Sequence, residues 1–145
     1  MLPLAPTPHL FERGGLLHVV DLCVKDDGIA AFVGHGEVTP GEILDVYTDF
    51  LNGRPGRLAL WDLSSATMAR IDSEGIRDLA KRVAQLGSGR RDGGKAAIAC
   101  GKAVDFGLAR MLATYLSLDG LPVEIGVFAD SDSARAWLTD EVIDV

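Results

Sequence analysis

The chain has 145 residues, 48% of them hydrophobic and 24% charged, the balance of one globular domain able to bury a core without disulfides or metals. A formal net charge of -7 makes nucleic acid and anionic membrane poor partners, since the only basic run, Arg90-Arg91, is followed at once by Asp92. Met1 to Phe11 lack a secretory pattern, and no apolar run approaches the ~20 residues that span a bilayer, so a cytoplasmic location is expected.

Pro3, Pro6 and Pro8 make residues 1–14 an N-terminal arm expected to be disordered, and residues 15–145 read as a single domain. Leu17 to Val24 and Ile29 to His35 are β-rich runs joined by Lys25-Asp26-Asp27-Gly28, which predicts an antiparallel hairpin. Thr39-Pro40-Gly41-Glu42 then supplies an N-cap, a first-turn proline and a capping-box glutamate. Ile43, Tyr47, Phe50 and Leu51 continue that helix to about Gly53.

Leu58 to Leu63 is short and apolar, as a strand covered on both faces should be. Ile76, Leu79, Ala80, Val83 and Leu86 mark a second helix, Gly87 to Gly94 a surface loop, and Lys95 to Cys100 a small buried strand. A third helix runs from about Val104 to Leu118, Pro122 to Ala129 is the last strand, and Ser131 to Leu138 a closing helix. The order β-β-α-β-α-β-α-β-α implies an α/β fold, with a mostly parallel sheet of about five strands and right-handed crossovers. Cys23 and Cys100 lie in strand-like runs, where a thiol behaves as a small hydrophobe, so no disulfide is expected.

Carboxylates and hydroxyls gather between Asp62 and Ile76, where a strand gives way to a helix, the edge at which open α/β sheets receive ligands. Asp62, Ser64, Ser65, Asp72, Ser73, Glu74 and Gly75 form a candidate docking lip there, although N-capping alone also accounts for Asp72 or Ser73. On the third helix Phe106, Arg110, Met111 and Tyr115 are candidates for an apolar pocket or a homodimer face, beside the simpler reading of a core helix.

Other signals are weaker. Gly89 to Lys95 fits the start of a phosphate-binding loop, but it precedes a strand and Ala96 replaces the hydroxyl residue that meets magnesium. A two-residue turn at Asp26-Asp27 places His18 opposite His35, yet no third ligand accompanies them, and no metal or cofactor is assigned. The chain has no G-x-S-x-G, no H-E-x-x-H and no Cys with a suitably placed His, so no enzymatic activity is expected.

Asp62-Leu63-Ser64 followed by Asp72-Ser73-Glu74-Gly75-Ile76 resembles the D-S-S-G-L region of STAS domains, the anti-sigma-factor antagonists of bacteria. Four further segments are similar to a broader SpoIIAA-like, or STAS/SEC14-like, group of small bacterial proteins. They are Trp61-Asp62-Leu63, Gly93 to Ala99, Phe106-Gly107-Leu108-Ala109-Arg110-Met111 and Ala134-Arg135-Ala136-Trp137-Leu138. Together they cover roughly Leu16 to Leu138.

The resemblance implies a regulatory protein-interaction module with an unidentified protein partner. Glu74 stands where the antagonists carry their phosphorylated serine, and the stretch from Asp62 to Asp72 is a couple of residues longer than the usual spacing. A phosphorylation switch is therefore not expected. The alternative implied by SEC14-like carriers is an apolar or lipid-like ligand held between the third helix and the sheet.

Overall fold

A computed structural model describes residues 20–24, 28–53, 56–88 and 93–139, the side chains of residues 22–24 excepted. Five strands and four helices alternate in the expected order: β1 (Val20–Val24), β2 (Ile29–Glu37), α1 (Pro40–Asn52), β3 (Leu58–Thr67), α2 (Ser73–Gly87), β4 (Gly94–Cys100), α3 (Ala103–Leu118), β5 (Val123–Phe128) and α4 (Ser131–Leu138). The fold is α/β. The strands lie side by side in chain order, with β1 antiparallel to β2 and every other pairing parallel.

That order has a consequence for where the helices lie. Right-handed crossovers that always step to the next strand in the same direction put α1, α2 and α3 on one face of the sheet. Their buried side chains form one core with Ala30, Phe32, Ala59 and Ile98. α4 returns to the opposite face, where Ala134 and Leu138 pack on Ile29, Leu60 and Ala97. Among the described strands the order never reverses, so the sheet has no topological switch point, and no crevice of that kind marks a ligand site.

The hairpin register differs from the one expected. A two-residue turn would set Val20 against Val33, whereas Val20 pairs with Gly34 and Val24 with Ala30. Directly paired residues share a face, so the observed register turns Val20 into the core beside Phe32, and a slip of one would turn it out. Gly28, with φ of 81°, takes the left-handed conformation that closes this connection. His18 and the proposed arm lie outside the described residues, while His35 is exposed.

β3 also corrects the expectation, running to Thr67 instead of ending at Leu63. Val33 pairs with Asp62 and His35 with Ser65, so Leu63 and Ser64 together oppose Gly34 in a β-bulge. A Cβ at Gly34 would stand 2.8 Å from the Leu63 side chain, which explains a glycine there. Beyond the bulge, β2 continues to pair with Ala66 and Thr67. Polar composition makes this stretch look like a loop, but the ladder satisfies its backbone.

The caps follow local chemistry. Thr39 Oγ1 accepts the Glu42 amide at 3.2 Å, Asp72 Oδ1 the Gly75 amide at 2.8 Å, and Asp130 Oδ1 the Ser133 amide at 2.7 Å. Among the described residues, no helix is long and apolar enough to cross a membrane.

Candidate functional site

The ends of β2 and β3 and the starts of α1 and α2 enclose an open groove of about 480 Å³. Thr39 and Pro40 line it from the start of α1, Asp72 and Gly75 from the start of α2, Glu37 from the end of β2 and Arg70 from the turn after β3. Two helix N-termini therefore meet at one groove, which Val38, Pro40 and Ile71 also line, each terminus already answered by its own capping oxygen. Arg70 and Glu37 approach to 3.5 Å across it, but both side chains are largely exposed and the pair adds little stability.

The structure divides the proposed lip. Of its residues at the start of α2, Asp72 and Gly75 line the groove, on the α1–α3 face, while Ser73 and Glu74 are exposed and are not part of its wall. Asp62 precedes the core residue Leu63 on β3, so its side chain projects to the other face. There its Oδ1 accepts the Ser64 amide at 3.1 Å and the Ser64 hydroxyl at 2.7 Å, a closed local unit. Ser65 is exposed on the β3 extension.

Within the remaining lip the roles separate. Asp72 is the N-cap of α2, and Ser73 and Glu74 are exposed in its first turn. Gly75 has a packing reason for being glycine, because a Cβ there would stand 2.8 Å from Ile71 Cγ2 and 3.1 Å from the capping Asp72 Oδ1. Glu74 forms no ion pair among the described residues. It is an exposed acidic group on the first turn of α2, beside the groove-lining Asp72 and Gly75.

Asp105, which the sequence did not single out, supports this arrangement from below. Only 1% exposed in the first turn of α3, it accepts on Oδ1 the Met68 amide at 2.7 Å and the Thr67 hydroxyl at 3.0 Å. Thr67 Oγ1 in turn accepts the Ala69 amide at 3.0 Å. The carboxylate thus pins the turn between β3 and α2 that carries Arg70 and Asp72. Its Oδ2 is buried without a hydrogen-bond partner among the described residues.

Nearby Cys100 is buried and reduced. Burial, with smaller contributions from the carboxylates of Asp105 and Asp62, pushes its thiol from an ordinary 9.0 up to about 12. The neutral thiol's contribution to stability is complete below pH 9.0 and is lost as pH rises toward about 12. Iodoacetamide at about pH 8, with sites mapped by mass spectrometry, should spare Cys100 in the folded protein and label it in denaturant. Equal labelling in both would contradict a shielded thiol.

The third-helix candidates also separate. Phe106 and Arg110 line a shallow groove of about 290 Å³ against Ile125 and Val127 of β5. Met111 and Tyr115 pack half-buried against the main core, with the Arg77 guanidinium 5.3 Å above the Tyr115 ring. None of the four lines the internal cavity of about 60 Å³, to which α3 contributes Leu112 and Leu116. Opposite them stand Tyr47, Trp61, Met68 and Ile98.

The phosphate-loop lookalike is explained at its last residue. Lys95 lies in β4 with its Nζ 4.7 Å over the Trp137 ring and 3.4 Å from the Trp137 carbonyl. Residues 89–92 of that stretch lie outside the described residues. Among those described, no three His, Cys, Asp or Glu side chains are placed to hold a metal ion. No protein-family model matches the chain, and no curated protein matches it.

Proposed function

We propose that this chain is a non-enzymatic, cytoplasmic STAS-like interaction module, regulatory in role, which docks a partner protein through the lip at the start of α2. One observation carries the reading. Ser73 and Glu74 stand exposed, Glu74 without an ion pair among the described residues, on a helix start whose geometry is fixed by the Asp72 cap, the fit of Gly75 and the Asp105 contacts beneath. Such a surface costs little conformational entropy on binding. Because Glu74 is a permanent carboxylate, the docking is constitutive rather than switched by phosphorylation.

Affinity capture from the source cells with wild type and Glu74→Lys tests this. A partner should be held by wild type and lost by about tenfold or more in the variant, the effect of reversing a charge at a contact. Recovery of no partner, or equal recovery by both proteins, would remove the lip from consideration.

The cavity under α3 is the observation behind the second reading, a carrier of an apolar ligand. A dry cavity of about 150 Å³ takes benzene. The present one, at about 60 Å³, falls short of a single ring and far short of an acyl chain. A carrier would have to move α3 away from the sheet, and native mass spectrometry of freshly purified protein reads a retained organic mass directly.

A further inference from the structure

The far edge of the sheet offers a second surface, remote from the lip. β5 pairs only with β4 among the described strands, so along its outer edge the main-chain groups beyond Val123, whose amide bonds the Leu121 carbonyl, have no ladder partner among the described residues. Five of its six residues are half-exposed and Glu124 is exposed. Ile125 and Val127 point toward α3, where Phe106, Ala113 and Thr114 form the facing wall of the 290 Å³ groove. A helix running beside an open strand, over a groove where Phe106, Ile125 and Val127 adjoin the polar Arg110 and Thr114, is the geometry in which an extended peptide adds as a sixth strand.

Arg110 decides what kind of peptide. It is exposed at the groove, and its guanidinium meets no carboxylate among the described residues, whereas Arg70 faces Glu37 and Arg82 faces Asp78. A second copy of β5 does not satisfy it. Paired antiparallel edge to edge, the partner strand would turn Val123, Ile125 and Val127 toward the α3 side and Glu124 to the other, leaving Arg110 without an acid. The net charge of -7 further opposes self-association.

We propose that the β5–α3 edge binds an extended segment of another protein by strand addition. That segment carries apolar residues and an acidic residue at alternate positions on one face, the acid paired with Arg110. Main-chain bonds to β5 supply affinity, and the groove with its arginine supplies selectivity.

The probe is a fluorescein-labelled Thr-Val-Thr-Glu-Thr-Val-Thr amide, followed by anisotropy and by amide shifts of the protein. Its controls are the same peptide with Lys for Glu and one N-methylated at alternate residues to block strand pairing. The Glu peptide should bind about tenfold tighter than the Lys peptide, Arg110→Glu should reverse that preference, and N-methylation should abolish binding. Shifts should centre on Val123–Phe128, and Glu74→Lys should leave binding unchanged, which separates this edge from the lip. Because Arg110 is exposed, the variant is expected to melt as wild type does. Absence of binding at about 1 mM peptide, equal affinity for both charges, or a concentration-dependent dimer protecting the β5 amides would each overturn the proposal.

Discussion

Replacing Asp105 by Ala is expected to lower the stability of the fold by about 3 kcal/mol, read as an earlier midpoint in urea and a melting temperature lower by about 10 °C. Two effects compete. Removing a buried carboxylate relieves its desolvation cost, but it strands the Met68 amide and the Thr67 hydroxyl that Oδ1 now receives. A buried donor without an acceptor costs about 1 to 3 kcal/mol, more when the lost acceptor is charged, and the deleted side chain leaves a void.

Stranded donors should therefore win. Asp105→Asn, which keeps an acceptor for Met68 and sheds the charge, is expected to stay within about 1 kcal/mol of wild type. Amide exchange across residues 68–75 should accelerate in the Ala variant beyond the global change, since the turn loses its anchor. A neutral Asp105→Ala would mean that the burial cost of the carboxylate cancels its hydrogen bonds.

The features legible in the sequence are those whose hydrogen bonds close within a few residues. Thr39 caps an amide three positions away, as do Asp72 and Asp130, so their helices announce themselves. The buried spacing of Ile76, Leu79, Ala80 and Val83 follows from helical geometry in the same way. The end of β3 was not legible, because Ala66 and Thr67 are held in strand by Gly36 and Glu37, thirty residues earlier. The Asp62, Ser64 and Ser65 that precede them are turn-type residues, which hides the continuation.

The site shows the same division. Asp72 was visible as a cap, whereas the need for glycine at position 75 arises from Ile71 curling back over it. Asp62 joined the lip by nearness in sequence alone, and strand alternation sends it to the opposite face. Asp105 carried no signal, since an aspartate in the first turn of a helix is ordinary there and its buried role depends on Thr67 and Met68. The surplus apolar surface of α3 was legible as a quantity. Its division among core, cavity and the β5 groove waited on the sheet.

Phe32→Ala should be the most damaging single change, at about 4 kcal/mol. Phe32 is 0% exposed on a strand enclosed by neighbours on both sides. Its ring stacks on Trp61 with centroids 3.9 Å apart and planes at 4°, and meets Phe50 edge-on at 5.2 Å. Collapse into the space would require moving β2, β3 or α1, all tied by ladders and core contacts, so the cost belongs in the upper part of the range for such truncations. At about 2 kcal/mol per molar, urea should unfold the variant about 2 M earlier. Phe32→Leu, which refills most of the volume, should cost about 1.5 kcal/mol and keep the slope. Trp61 serves as reporter, because losing its stacked neighbour changes its emission even where the variant remains folded. Emission unchanged in a folded Phe32→Ala protein would show that the two rings are not in contact in solution.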